Sequence, residues 1–76
     1  MNAEEEAAAR HRLWYARLIS ESDQLKGRID LLQRFILGDF FNTLDVDDQV
    51  DMKEQIVHMR RYYAVLAQRI ARNSQE

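Results

Sequence analysis

The sequence predicts an all-α protein, a two-helix antiparallel hairpin that assembles into a helical homo-oligomer. Two observations predict the helices. Apolar residues recur at alternating steps of three and four in each half of the chain, and the chain has two glycines and no proline. A third observation predicts the assembly. The 76 residues form one domain, 1–76, without a cysteine for a disulfide, and a hairpin of this size supplies only about 3–5 kcal/mol of stability alone. We therefore expect much of the stability to lie at subunit interfaces.

The first helix is predicted over residues 3–37. Asn2 is suited to cap its N-terminus, and the three glutamates at positions 4–6 favour the positive end of the helix dipole. Its heptad seam consists of Tyr15, Leu18, Ser22, Leu25, Ile29, Leu32 and Ile36. Trp14, Leu31 and Phe35 lie beside this seam and widen the apolar stripe, which indicates packing against more than one neighbour.

The two glycines have different predicted roles. Gly38 follows the last periodic residue and is expected to end the first helix as its C′ residue. Gly27 lies inside the helix, where glycine costs up to about 1 kcal/mol relative to alanine. A close backbone contact, a bound ligand or simple tolerance would each account for it.

The second helix is predicted over residues 46–72, after a turn at 38–45. Phe40, Phe41 and Leu44 make the turn apolar, so we expect it to pack back on the helices and to contain a short helical piece. Asp45 is the candidate N-cap of the second helix. Its heptad seam consists of Met52, Ile56, Met59, Tyr63, Leu66 and Ile70.

Charge and composition exclude several classes of function. The net charge of −2 argues against a DNA- or RNA-polymer binder. Residues 39–52 carry five aspartates and no lysine or arginine, whereas residues 53–76 carry five basic and two acidic residues. No apolar run approaches the roughly 20 residues of a membrane span, and the acidic N-terminus does not resemble a secretory signal. No catalytic, phosphate-loop or metal-binding motif is present, so no enzyme activity, cofactor or metal is expected.

The remaining candidates are ligand-binding side chains. Aromatic rings stack on nucleobases, and arginine pairs with phosphate through two parallel hydrogen bonds. The candidates that combine these properties are Trp14, Tyr15, Lys26 and Arg28 on the first helix, with Arg61 and Arg69 on the second. From the residues alone, Tyr15 and Tyr63 lie on the seams, where a tyrosine is more often simply a core residue. The arginines are more often part of a solvated face.

Three segments carry a family resemblance, and they read YARLISESDQLKGRIDLLQRFI, FNTL and QIVHMRRYYAVLAQRIA. The ordered pattern is a tyrosine, R-Φ (Φ apolar), an acid, L, basic-I, L and F-I, then F-x-x-L, then Q, M, Y, L and R-I. It covers about residues 12–72 and resembles the phage anti-CBASS proteins with the related anti-Thoeris hairpin domain. The resemblance implies a phage-encoded immune-evasion protein that acts as a sponge in the host bacterial cytoplasm. Such proteins form homohexamers and sequester cyclic di- and trinucleotides, such as cyclic GMP-AMP, without cleaving them.

The resemblance also implies roles for individual residues. Tyr15 matches a tyrosine that stacks on a base. The family has a basic residue further along the first helix that pairs with phosphate. Arg28 is the nearest match to it by pattern, and Lys26 is a neighbouring residue of the same charge. Asp30 occupies a position at which the lysine of the family could also align. Arg69 matches an arginine that lines a separate trinucleotide pocket. The alternative to a sponge is a structural or host-protein-binding helical oligomer with no small-molecule ligand.

Overall fold

The computed structural model describes residues 2–74 and places them in three helical elements. Helix α1 spans Ala3–Leu37, a short 3₁₀ helix spans Asp39–Thr43, and helix α2 spans Val46–Asn73. The prediction of an all-α helical hairpin is confirmed. Residues 1, 75 and 76, which the single-domain prediction 1–76 includes, lie outside the described residues. The hairpin is a narrow rod of 60 × 18 × 17 Å.

Helix α1 is capped at both ends by local hydrogen bonds. At its start the Asn2 side-chain oxygen accepts a hydrogen bond from the Glu5 backbone N–H at 2.9 Å, as the sequence predicts. At its end the Gly38 N–H donates to the Phe35 carbonyl at 3.2 Å. Gly38 does end the helix, but its backbone is extended, with φ −83° and ψ 165°, and not left-handed. The conformation at this position therefore does not require glycine.

The turn is fixed by side chains that bond to its backbone. Thr43 donates its hydroxyl to the Phe40 carbonyl at 2.7 Å. Asp45 occupies the N-cap position of α2, but its side chain makes no capping hydrogen bond. The Gln49 side chain instead donates to the Leu44 carbonyl at 2.9 Å, which ties the first turn of α2 to the connection. The ring of Phe41 is buried beneath this connection.

The two predicted seams meet and form the core. Its buried members are Leu18, Leu25, Ile29, Ile56 and Leu66, and the partly buried side chains packed against them are Leu32, Ile36, Met59, Tyr63 and Ile70. Ser22 also lies in this stripe and is buried. The alternating spacing of three and four residues thus identified the side of each helix that faces the other.

The two helices differ in length, which leaves one end of the hairpin open. Helix α1 has 35 residues and α2 has 28. Because a short turn joins them, about seven residues at the start of α1 extend past the end of α2, a distance of about 10 Å. Residues 3–8 are accordingly exposed.

A single hairpin leaves much apolar surface uncovered. It exposes 6119 Å², whereas a typical folded monomer of 9.1 kDa exposes about 4,900 Å². Large apolar side chains that remain exposed include Leu13, Leu31, Leu37, Phe40, Val46, Val50, Val57 and Val65. This surface is available for contacts with another chain.

Leu66→Ala tests the seam. Leu66 has no exposed surface, so the substitution should reduce the free energy of unfolding by about 2–5 kcal/mol through lost apolar burial and the cavity left behind. Equilibrium urea unfolding followed by circular dichroism measures the loss. Gln68→Ala, two residues further on at an exposed position, is the control and should stay within about 0.5 kcal/mol of the wild type. Equal stability of Leu66→Ala and the wild type would contradict this packing.

Gly27→Ala tests why α1 contains a glycine. A Cβ atom added at Gly27 has no heavy atom within 4 Å, and its backbone does not have positive φ. The substitution should therefore raise the free energy of unfolding by about 0.5–1 kcal/mol. Thermal unfolding measures the gain. A loss of stability would contradict the expectation and would show that another molecule approaches the backbone of α1 at this point.

Candidate functional site

The open end of the hairpin brings together two of the predicted binding residues, one from each helix. The guanidinium carbon of Arg69 lies 5.7 Å from the centre of the Trp14 ring, a cation–π contact. Trp14 is 41% exposed and Arg69 is half-buried. The Asn73 side chain donates to the Arg69 backbone carbonyl at 2.7 Å, which fastens the last turn of α2 where the arginine is located.

Two more rings complete this group. Tyr15 is half-buried on the seam. His11 is exposed, and its ring lies nearly parallel to that of Tyr15, with an angle of 8° and 6.5 Å between ring centres. The His11 and Trp14 rings are 5.6 Å apart and tilted by 47°. We call His11, Trp14, Tyr15 and Arg69 the open-end cluster.

Arg69 gives the open-end cluster a positive charge that no carboxylate within residues 2–74 neutralises. An arginine guanidinium stays protonated in proteins. Between residues 2 and 74, the ion pairs within 4.0 Å are Lys26–Asp30 at 3.1 Å and His58–Glu54 at 3.5 Å, and neither includes Arg69. The cluster therefore offers aromatic faces and an available guanidinium side by side, which suits an anionic ligand with planar rings.

The same side of the hairpin carries further aromatic and basic residues. Because a heptad step of seven residues returns to the same side of a packed helix, Glu21, Arg28 and Phe35 follow Trp14 along α1 on this side. Tyr62 precedes Arg69 by seven residues on α2. We call these six residues the Trp14 flank; five of them are exposed, and Arg69 is half-buried.

Lys26 belongs to the opposite side of the seam. The Arg60 guanidinium donates a hydrogen bond to the Gln33 side-chain oxygen across the hairpin, which defines that side, and Lys26 precedes Gln33 by one heptad. The Lys26 ammonium is paired with Asp30, and both side chains are more than half exposed. This pair spans one turn of α1, the ordinary arrangement of a solvated helical ion pair.

Within one chain the six predicted binding residues do not form one pocket. Trp14, Tyr15 and Arg69 meet at the open end. Lys26 and Arg28 lie 11 and 13 residues further along α1 than Tyr15, which corresponds to about 16 and 20 Å. Arg61 is exposed on α2, eight residues from Arg69 and about 12 Å along the helix.

Two further properties concern the described residues as a whole. No group of three or more histidine, cysteine, aspartate or glutamate side chains within residues 2–74 is placed to hold a metal ion. None of the helices in this range has both the length and the apolar character that crossing a membrane requires.

Sequence reasoning placed Tyr62 near the candidate arginines of the second helix, but it selected neither Tyr62 nor His11 as a binding residue. His11 precedes Tyr15 by four residues and thus continues the seam of α1 toward the open end of the hairpin. Tyr62 precedes Arg69 by one heptad. Both spacings are visible in the sequence. The sequence does not show, however, on which side of the hairpin Arg69 lies, and only its contact with Trp14 establishes that side.

Comparisons with known proteins agree with the predicted family. No curated protein and no solved structure matches the chain significantly. The family model described as Sequestin matches residues 13–72, most of the chain and both helices. The name denotes sequestration and agrees with the sponge family that the sequence resembles. The chain therefore belongs to the Sequestin family.

Proposed function

We propose that this protein binds and sequesters cyclic di- or trinucleotides, such as cyclic GMP-AMP, without cleaving them. The observation that carries the proposal is the contact of Arg69 with Trp14 beside Tyr15, which sets aromatic faces next to a guanidinium that forms no ion pair with the residues that the structure describes. The family name supports sequestration as the activity.

The chemistry of the ligand matches the chemistry of the open-end cluster. A cyclic dinucleotide presents two planar bases and two negatively charged phosphates on one ring. Base stacking on an aromatic side chain contributes about 1–3 kcal/mol per base, and a hydrogen bond to a charged group contributes about 1.5–3 kcal/mol. In the proposed complex, Tyr15 and Trp14 contact a base and Arg69 pairs with a phosphate.

The remaining predicted residues contribute through a neighbouring protomer. Lys26, Arg28 and Arg61 lie about 12 Å or more along their helices from the open-end cluster. We propose that they reach ligand held between chains of a homohexamer, where a basic group of one chain meets the open end of another. A rigid assembly holds these groups in place before binding, which reduces the entropy lost on binding.

The biological role proposed here is phage immune evasion. A phage-encoded sponge of this kind acts in the host bacterial cytoplasm, where it removes the second messenger of CBASS-type defence before the host effector is activated. Binding without turnover suffices for this role, provided that the sponge is abundant relative to the messenger.

The uncovered apolar surface favours a second candidate function. Val50, Val57, Ala64 and Ala71 follow one another at seven-residue steps and are all exposed. Such a row packs readily against another helix. A helical oligomer that binds a host protein, with no small-molecule ligand, would use the same row.

The binding proposal predicts saturable binding with recovery of intact ligand. Titration calorimetry against a panel of cyclic di- and trinucleotides should give heat with at least one member, and chromatography should recover that ligand unchanged. Since Trp14 is the chain's only tryptophan and lies in the open-end cluster, its fluorescence should change with the same midpoint.

Trp14→Ala and Arg69→Ala should each weaken binding by about 10-fold, in line with the loss of one stack or one charged hydrogen bond.

A matched control separates the site from general charge effects. Arg34→Ala removes an exposed arginine whose side chain contacts only the Asp30 carbonyl of its own helix, and its affinity should equal that of the wild type. Absence of binding to every ligand of the panel would refute the sponge function and favour the second candidate.

Val57→Glu tests the exposed row on α2. A carboxylate buried between packed helices is strongly unfavourable, so the variant should form smaller species than the wild type in sedimentation velocity while keeping its helical circular dichroism. His58→Glu places the same group one residue away, about 100° around the helix, and should leave the assembly intact. If the Val57→Glu variant formed an assembly of the same size as the wild type, this row would be excluded from the interface between subunits.

A further inference from the structure

His11 lies at a point of the surface to which neither the seam nor the family assigns a role. It precedes the matched residues 13–72. It continues the seam of α1 four residues before Tyr15, close to where α2 ends at Asn73, and its side chain is exposed. Its exposed side chain is open to a ligand.

The spacing of the rings indicates which kind of ligand. Stacked bases in nucleic acids lie about 3.4 Å apart, so a base held between two rings needs about 6.8 Å from ring to ring. The rings of His11 and Tyr15 are nearly parallel, at 8°, and their centres are 6.5 Å apart. We propose that His11 and Tyr15 hold one nucleobase of the ligand between their rings. This inference rests on the proposed function and assigns His11 as an additional base-stacking residue.

The surroundings of His11 suit this role. Four residues along an α-helix advance about 6 Å, so side chains at positions 11 and 15 leave a gap near the thickness of one base when their rings lie parallel. The Trp14 ring stands 5.6 Å from His11 at an angle of 47° and borders the gap. Arg69 lies over Trp14, which places a guanidinium beside the gap for a phosphate of the same ligand.

Four substitutions at His11 separate stacking from other roles. The probe is the cyclic nucleotide that binds the wild type most tightly in the calorimetric panel. His11→Ala and His11→Leu remove the ring and should weaken binding by about 5- to 100-fold, as expected for one lost stack. His11→Phe keeps a stacking ring and should bind within about threefold of the wild type. His11→Lys supplies a cation without a ring and should bind as weakly as His11→Ala.

His58→Ala serves as the control with the same residue type. His58 is exposed on α2 and pairs only with Glu54, so this variant should bind as the wild type does. Circular dichroism checks that all five variants retain the helical fold.

Each outcome bears on the inference. Weak binding by the Ala, Leu and Lys variants together with near-normal binding by His11→Phe supports the sandwich. Normal binding by His11→Ala, with binding lost in Tyr15→Ala, overturns the role of His11 and leaves the sponge function standing. Normal binding by His11→Lys with weak binding by His11→Phe also overturns the sandwich, because the contact would then be electrostatic. No binding by the wild type refutes the proposed function and this inference together.

Discussion

A two-helix hairpin has one contact surface between its helices, and the rest of this structure depends on that constraint. The seam around Leu66 buries a single stripe on each helix. Every residue beside the stripe is covered on one side only. Trp14 and Arg69 lie at this border, and Tyr15 lies near the open end of the seam, so all three are partly held by packing and partly open. A larger bundle would have buried the same rings completely and left no face for a ligand.

In the proposed complex, the contact between Arg69 and Trp14 would affect binding beyond its own energy. A free arginine side chain loses much rotamer entropy when it is fixed on a phosphate. Arg69 is already restricted by the tryptophan face and by its position on the seam border, so less is lost when a ligand arrives. Lys26 presents the opposite case, because a ligand phosphate has to compete with the Asp30 carboxylate for its ammonium. This favours Arg28 as the phosphate-binding residue of α1, for which the family pattern left Arg28, Lys26 and Asp30 open.

The sequence was sufficient for the fold because one physical signal, the heptad spacing, determines both the helices and their facing sides. The caps were less predictable. Gly38 ends α1 in an extended conformation, and Gln49 rather than Asp45 supplies the side-chain bond at the start of α2. The candidate site was the least predictable part, since a sequence does not state on which side of the seam a flanking residue meets its counterpart. Arg69 could be assigned to the side of Trp14, and Lys26 to the other side, only from contacts across the hairpin.

The length of the hairpin links ligand binding to assembly. Arg28 lies about 20 Å along α1 from Tyr15, beyond the reach of either side chain within one chain. If both contact one small cyclic ligand, as the family pattern implies, they come from different protomers. The ligand then binds the assembly and not the separate hairpin, and by mass action each bound ligand stabilises the assembled state. A small chain with one modest core would thereby gain stability from the molecule it removes, and the apolar row on α2 would serve binding as much as folding.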